Sequence, residues 1–190
     1  MTKLDTKTQL LNIAETALRQ RGFDGFSNAD LADVAGIRKA SIHYHFPTKA
    51  DLSVALMDRY CNTVQGACDD IDASHASAGA RLRALIGYYR ASLGDGSTIC
   101  LCVALSTSRE SLSQELVGKM IGFRQIMIGW LKVTFEQGAG DGSIEGGTQA
   151  GYEAKAMLAL LEGAHLAARD DRDIRQFDAA VALLLLRCKR

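Results

Sequence analysis

Proline is almost absent: one residue in 190, Pro47, so little in the chain forbids long helices. No apolar stretch nears the roughly 20 residues of a membrane-spanning helix, and the opening MTKLDTKTQLL lacks the apolar run ending in small residues that a secretory signal requires. A soluble protein of the cytoplasm, bound to no membrane, is expected. Net charge is missing too, since 22 Lys and Arg offset 22 Asp and Glu, which argues against coating nucleic acid through bulk positive charge. Any contact with DNA has to be local. The five cysteines, Cys61, Cys68, Cys100, Cys102 and Cys188, form an odd and irregular set, so reduced thiols are expected and not a disulfide framework.

What is present points one way. With 47% hydrophobic and 23% charged residues the chain is neither disordered nor fibrous, and it can bury a core without disulfides or metals. Alanine and leucine dominate, and no segment alternates apolar with polar residues long enough for a strand. The fold class is all-α. Helix starts are legible where a hydroxyl precedes an acid or amide by three positions, at Thr6 with Gln9, Ser27 with Asp30, and Thr48 with Asp51.

A first helix is read from about Lys7 to Arg21 and ended by Gly22; a second runs from Asn28 to Ala35, with Phe26 and Leu31 placed as a hydrophobic staple and Gly36 as the break. A third occupies Lys39 to Phe46. Pro47 and the Thr48 cap begin a fourth that continues to about Ala73, a length of roughly 37 Å that lets one helix serve two domains. Further helical patterns cover Gly79 to Leu93, Cys100 to Ser106, Ser113 to Glu136, Tyr152 to Arg169 and Ile174 to Cys188, about nine helices in all. The glycine-rich Gly138 to Gly147 follows a helix and no strand, so it reads as a surface connector and not a phosphate loop.

In LADVAGIRKASIHYHF, Ala32, Gly36 and Ile42 stand at helix-turn-helix spacing: a small residue for close approach, a glycine for the turn, an aliphatic residue for the angle between the helices. Between Ile37 and Ala50 the charged residues are Arg38, Lys39 and Lys49, with no carboxylate among them. The third helix carries Arg38, Lys39, Ser41, His43, Tyr44 and His45, polar or hydrogen-bonding throughout, and Ala40 permits close approach. Such a surface suits a major groove.

With its flanks, SNADLADVAGIRKASIHYHFPTKADLSVAL closely resembles the DNA-binding domain of the TetR family of repressors, over about Thr6 to Tyr60. The resemblance implies a helix-turn-helix domain over residues 1–48 and a ligand-binding and dimerisation domain over 49–190. It implies double-stranded operator DNA as partner, a palindromic site bound by a homodimer, release by a small-molecule inducer, and no cofactor. By position, Lys39, Ala40, Ser41 and His43 are the implied base readers; Tyr44, His45 and Lys49 are the implied phosphate contacts, and Ser27 both caps and reaches a phosphate. Two departures stand out. Arg38 replaces a small capping residue and offers an extra phosphate or guanine contact, and His43 stands where many relatives carry tyrosine.

Beyond the fourth helix the pattern carries the reading. Ala156, Ala159, Leu160, Gly163, Ala164 and Ala167 make a small-residue surface, and Ala179, Ala182, Leu183 and Leu186 an apolar one; paired about a twofold axis the last two helices would form a four-helix bundle. Tyr60, Tyr88, Tyr89, Cys100, Phe123, Met127 and Trp130 are the candidates to line an inducer pocket, or else plain core. Cys100 and Cys102, in TICLCVAL, are read first as small buried hydrophobes and alternatively as electrophile or redox sensors at a helix start. A metal site of these cysteines with His165 lacks further ligands. An enzyme pairing a cysteine with His75 or His165 lacks a third, orienting group, so no catalysis is expected.

Overall fold

Asp5 opens the first helix: its carboxylate accepts the Thr8 backbone N–H at 3.0 Å and the Thr8 hydroxyl at 2.7 Å. The cap expected at Thr6 with Gln9 thus sits one residue earlier, where an ionised carboxylate is the stronger acceptor for the open N–H groups of the first turn. The computed structural model describes residues 5–146 and 149–189, and among these it holds nine α-helices and an isolated Ile144–Cys188 bridge. They are α1 (Thr6–Arg21), α2 (Asn28–Ala35), α3 (Lys39–His45), α4 (Lys49–Ser74), α5 (Ala78–Ser92), α6 (Leu101–Ser106), α7 (Gln114–Asp141), α8 (Ala150–Asp170) and α9 (Arg175–Arg187). The all-α architecture read from the sequence is what the chain adopts.

One boundary differs by more than a turn. α7 runs through Gly138 and Gly140 to Asp141, so the helix takes up the start of the expected connector, whose end at Gly147 lies outside the described residues. Packing supplies the reason. Ile144 folds back onto Gly138, where an added Cβ would lie 2.4 Å from the isoleucine Cδ1, so this position needs glycine inside a helix.

Two compact units divide the chain. The first comprises residues 1–62 and 101–121, and its core gathers Leu10, Ala14, Leu18, Leu31, Ile42, Leu52, Leu56, Met57, Leu105 and Leu116, all buried. Arg59 of α4 ties α1 to it, bonding Glu15 at 2.6 Å and Asn12 at 2.7 Å. The second comprises residues 63–100 and 122–190. Leu82, Leu85, Leu131, Phe135, Leu161, Phe177 and Val181 fill its core, and Arg187 clamps Glu153 with two bonds of 2.8 and 2.9 Å. α4 gives its first part to one unit and its last to the other. Among the described residues no helix is long and apolar enough to cross a membrane.

Candidate nucleic-acid interface

Ser27 and Asp30 close the start of α2 reciprocally: the Asp30 N–H donates to the serine Oγ at 3.3 Å, and the Asp30 carboxylate accepts the Ser27 N–H at 2.7 Å. The same carboxylate accepts the Ser27 hydroxyl at 2.8 Å. These bonds hold the Asp30 carboxyl below the usual carboxylate range, the hydroxyl bond contributing most. A hydroxyl has one proton to donate, and here Asp30 takes it, so a phosphate contact by Ser27 would compete with the cap. The Thr48 and Asp51 pair closes α4 in the same way, at 2.9 and 3.1 Å.

Gly36 ends α2 in the left-handed conformation (φ 66°, ψ 31°), and the Ile37 N–H returns to the Ala32 carbonyl at 3.1 Å. This turn swings the chain into α3. Ala32 and Ile42, the small and aliphatic residues of the spacing, are both buried. With Ile42 turned inward, the rest of α3 turns out: Arg38, Lys39, Ala40, His43 and Tyr44 are exposed, and Ser41 and His45 are half-buried. Tyr44 is 84% exposed, with its ring edge-on to His45 at 5.1 Å. A shallow depression of about 500 Å³ runs past Ile37, Arg38, Ala40, Ser41, Tyr44 and His45 to Thr6 of α1. Arg38 occupies the cap position of α3 and makes no side-chain capping bond, as its departure from a small residue implied.

Lys49 sits differently from expectation. Its ammonium donates to the carbonyls of Phe23 and Phe26, the latter at 2.6 Å, and lies over both rings at 4.5 and 4.2 Å from their centroids. Burial lowers its pKa, against the pull of Asp24 and Asp30. The side chain thus laces the loop between α1 and α2 to the start of α4.

In the second unit Tyr89, Cys100, Phe123 and Met127 are buried, while Tyr88 and Trp130 are half-buried; Tyr60 belongs to the first unit. Trp130 is tethered, its indole N–H donating to Asp72 at 2.9 Å. The fully buried His165 was considered from sequence only as a metal ligand or base, and it turns out to be a spacer. Nδ1 accepts the Cys100 N–H at 3.0 Å, and Nε2 lies 3.0 Å from the Tyr89 carbonyl, an acceptor, so the ring is the neutral tautomer protonated on Nε2. The Cys100 and Cys102 side chains are each 1% exposed. Sequence reasoning also missed the ion pair of Arg124 with the nearly buried Glu162, at 2.7 Å, because nothing local marks two charges on different helices as partners.

The outer faces of α8 and α9 carry leucines in the open: Leu183 is 77% exposed, Leu186 78%, Leu166 39% and Leu160 36%. Ala156, Ala159, Gly163, Ala167, Ala179 and Ala182 are exposed beside them. Ala164 is the correction, since it is buried with Leu161 and Ala168, its neighbours at helical spacing on the core side.

Set against known proteins, residues 10–56 match the family model for bacterial regulatory proteins of the tetR family. The transcriptional repressor NemR of Escherichia coli K12 is 26% identical over 186 residues, 95% of this chain and 92% of that protein. Its structure in the reduced form superposes with a TM-score of 0.80 over 95% of both chains. A TetR-family regulator from Agrobacterium tumefaciens superposes at 0.91 with 29% identity over 97% of both chains, and one from Legionella pneumophila at 0.88 with 26% identity over the full length of both.

Proposed function

Since the chain belongs to the TetR family of transcriptional regulators, we propose that it is a homodimeric repressor released from a palindromic operator by a small molecule. The observation that carries this is α3: seven residues whose one large apolar member, Ile42, is buried and whose polar side chains face outward from a helix-turn-helix. Lys39, Ala40, Ser41 and His43 are the base readers, and Arg38, Tyr44 and His45 the backbone contacts. Lys49 acts through the scaffold, by the bonds that hold the loop before α2.

The leucine-rich outer faces of α8 and α9 supply the dimer contact, which two recognition helices need if they are to enter successive major grooves. An inducer is held among Tyr88, Tyr89, Cys100, Phe123, Met127 and Trp130. It releases DNA by favouring a dimer geometry that no longer fits the operator, which requires several kcal/mol of differential affinity between the two states. The protein acts in the cytoplasm, by binding and not by catalysis: His165, one of the two histidines weighed as a base for a cysteine, has both ring nitrogens engaged by backbone groups.

Footprinting on genomic fragments captured by the purified protein tests the reading. Protection of two half-sites about 34 Å apart supports it; uniform protection of any DNA, or none, overturns it. A thiol-based trigger is the second reading, favoured by the likeness to NemR along nearly the whole chain. Release by an electrophile that persists in both Cys100→Ser and Cys102→Ser would remove it.

A further inference from the structure

His43 is an exposed residue of α3 whose Nδ1 lies 3.0 Å from the carbonyl oxygen of Pro47, four residues on. A carbonyl only accepts, so Nδ1 carries the proton in this bond, and the neutral ring keeps its lone pair on Nε2 at the opposite edge. Pro47 lies just past the Phe46 cap of α3, and its carbonyl oxygen faces back onto the His43 ring. From this we infer that His43 reads DNA as a hydrogen-bond acceptor and that its partner is the exocyclic amino group of an adenine or a cytosine in the major groove. The inference rests on the DNA-binding reading and deepens it.

The chemistry sorts the possible partners. In the major groove the donors are adenine N6 and cytosine N4, whereas guanine O6 and N7 and thymine O4 are acceptors that would set lone pair against lone pair. A phosphate has no proton to give either, so a neutral His43 tethered to Pro47 is turned from the backbone to the base edges. The more familiar reading of a histidine in the groove, as a donor to guanine, requires a proton on Nε2: either the opposite neutral tautomer, which would break the bond to Pro47, or the doubly protonated ring, which the neutral form is not.

Two measurements test this on the full-length protein. The first is a long-range proton–nitrogen correlation spectrum of histidine-labelled protein without DNA, at about pH 8.5, above the range in which imidazole ordinarily titrates. Nδ1–H is expected for His43; finding the proton on Nε2 overturns the inference. For the second, duplexes are selected from a random pool by the wild-type protein and then remade with single bases lacking the amino group, nebularine for adenine and 2-pyrimidinone for cytosine, or lacking N7, as 7-deazapurines. At one position, loss of the amino group should weaken the wild-type protein about tenfold and leave His43→Ala unaffected, the difference expected of one hydrogen bond. A His43-dependent loss on a 7-deazapurine, or no His43-dependent loss anywhere, overturns it. If no duplex is enriched, the DNA-binding reading has failed, and the inference falls with it whatever the spectrum says.

Discussion

Lys49 carries a charge that the fold uses internally. Its ammonium bonds to two backbone carbonyls and faces two aromatic rings, and hydrogen bonds to charged groups are worth about 1.5–3 kcal/mol each, less where the group is half exposed as here. Lys49→Ala should therefore lower the stability of the first unit by about 2 kcal/mol or more, measured by urea unfolding. It should weaken binding to every DNA sequence alike; full stability with weakened binding would return the residue to a plain phosphate contact. Glu162 shows the opposite balance. Burial raises its pKa above the ordinary 4.5, and the nearby Arg124 only partly offsets this. A group whose folded pKa is raised contributes stability that is complete below its unfolded pKa and lost as pH rises through the folded value. Glu162→Gln should thus match the wild type in acid and equal or exceed its stability at neutral pH. A variant markedly less stable at pH 7 would mean that the pair with Arg124 outweighs burial.

At the scale of elements, α3 is short and held at its ends. Its seven residues are too few to be stable alone, so its position comes from the buried Ile42, the Gly36 turn before it and the Phe46 N–H closing on the Ile42 carbonyl at 2.7 Å after it. Substituting an outward side chain should then leave the fold intact and change what is read. Ser41→Ala should shift preference among selected duplexes by about 0.5–1.5 kcal/mol at one base pair. Equal losses on all duplexes would place Ser41 on the backbone instead. Much of this was legible beforehand, because glycine at a left-handed turn, a capping serine with its acid, and one aliphatic residue in a polar helix are local signals. The α1 cap was misplaced by one residue because Asp5 and Thr6 are both capping types, and only the bond formed decides between them. The end of α7 was misread because Gly138 reads locally as a helix breaker, whereas contact with Ile144 demands it.

Across the whole molecule, the unresolved account is that of apolar surface. Leu183 and Leu186 are more than three-quarters exposed in the single chain, and burying a leucine is worth about 1.5–3 kcal/mol. In a twofold contact each substitution counts twice. If the proposed dimer forms through this face, Leu183→Glu combined with Leu186→Glu should give a monomer at micromolar concentration, seen by sedimentation, and should abolish operator binding while α3 stays folded. An unchanged sedimentation coefficient would move the contact elsewhere.

Fold class, the run of helices, the helix-turn-helix and the set of residues on its outer face were all determined by the order of residues. Those features depend on capping, turn chemistry and helical period, which act over a few positions. Tertiary structure alone decided that Lys49 points inward, that His165 spans Tyr89 and Cys100, that Arg124 finds Glu162, and that Ala164 faces the core while Leu166 does not. Each of these depends on which groups meet across tens of residues, and on whether water remains between them. His43 stands between the two cases: its place on the helix is local, but the partner of its ring is set by where the chain places the Pro47 carbonyl.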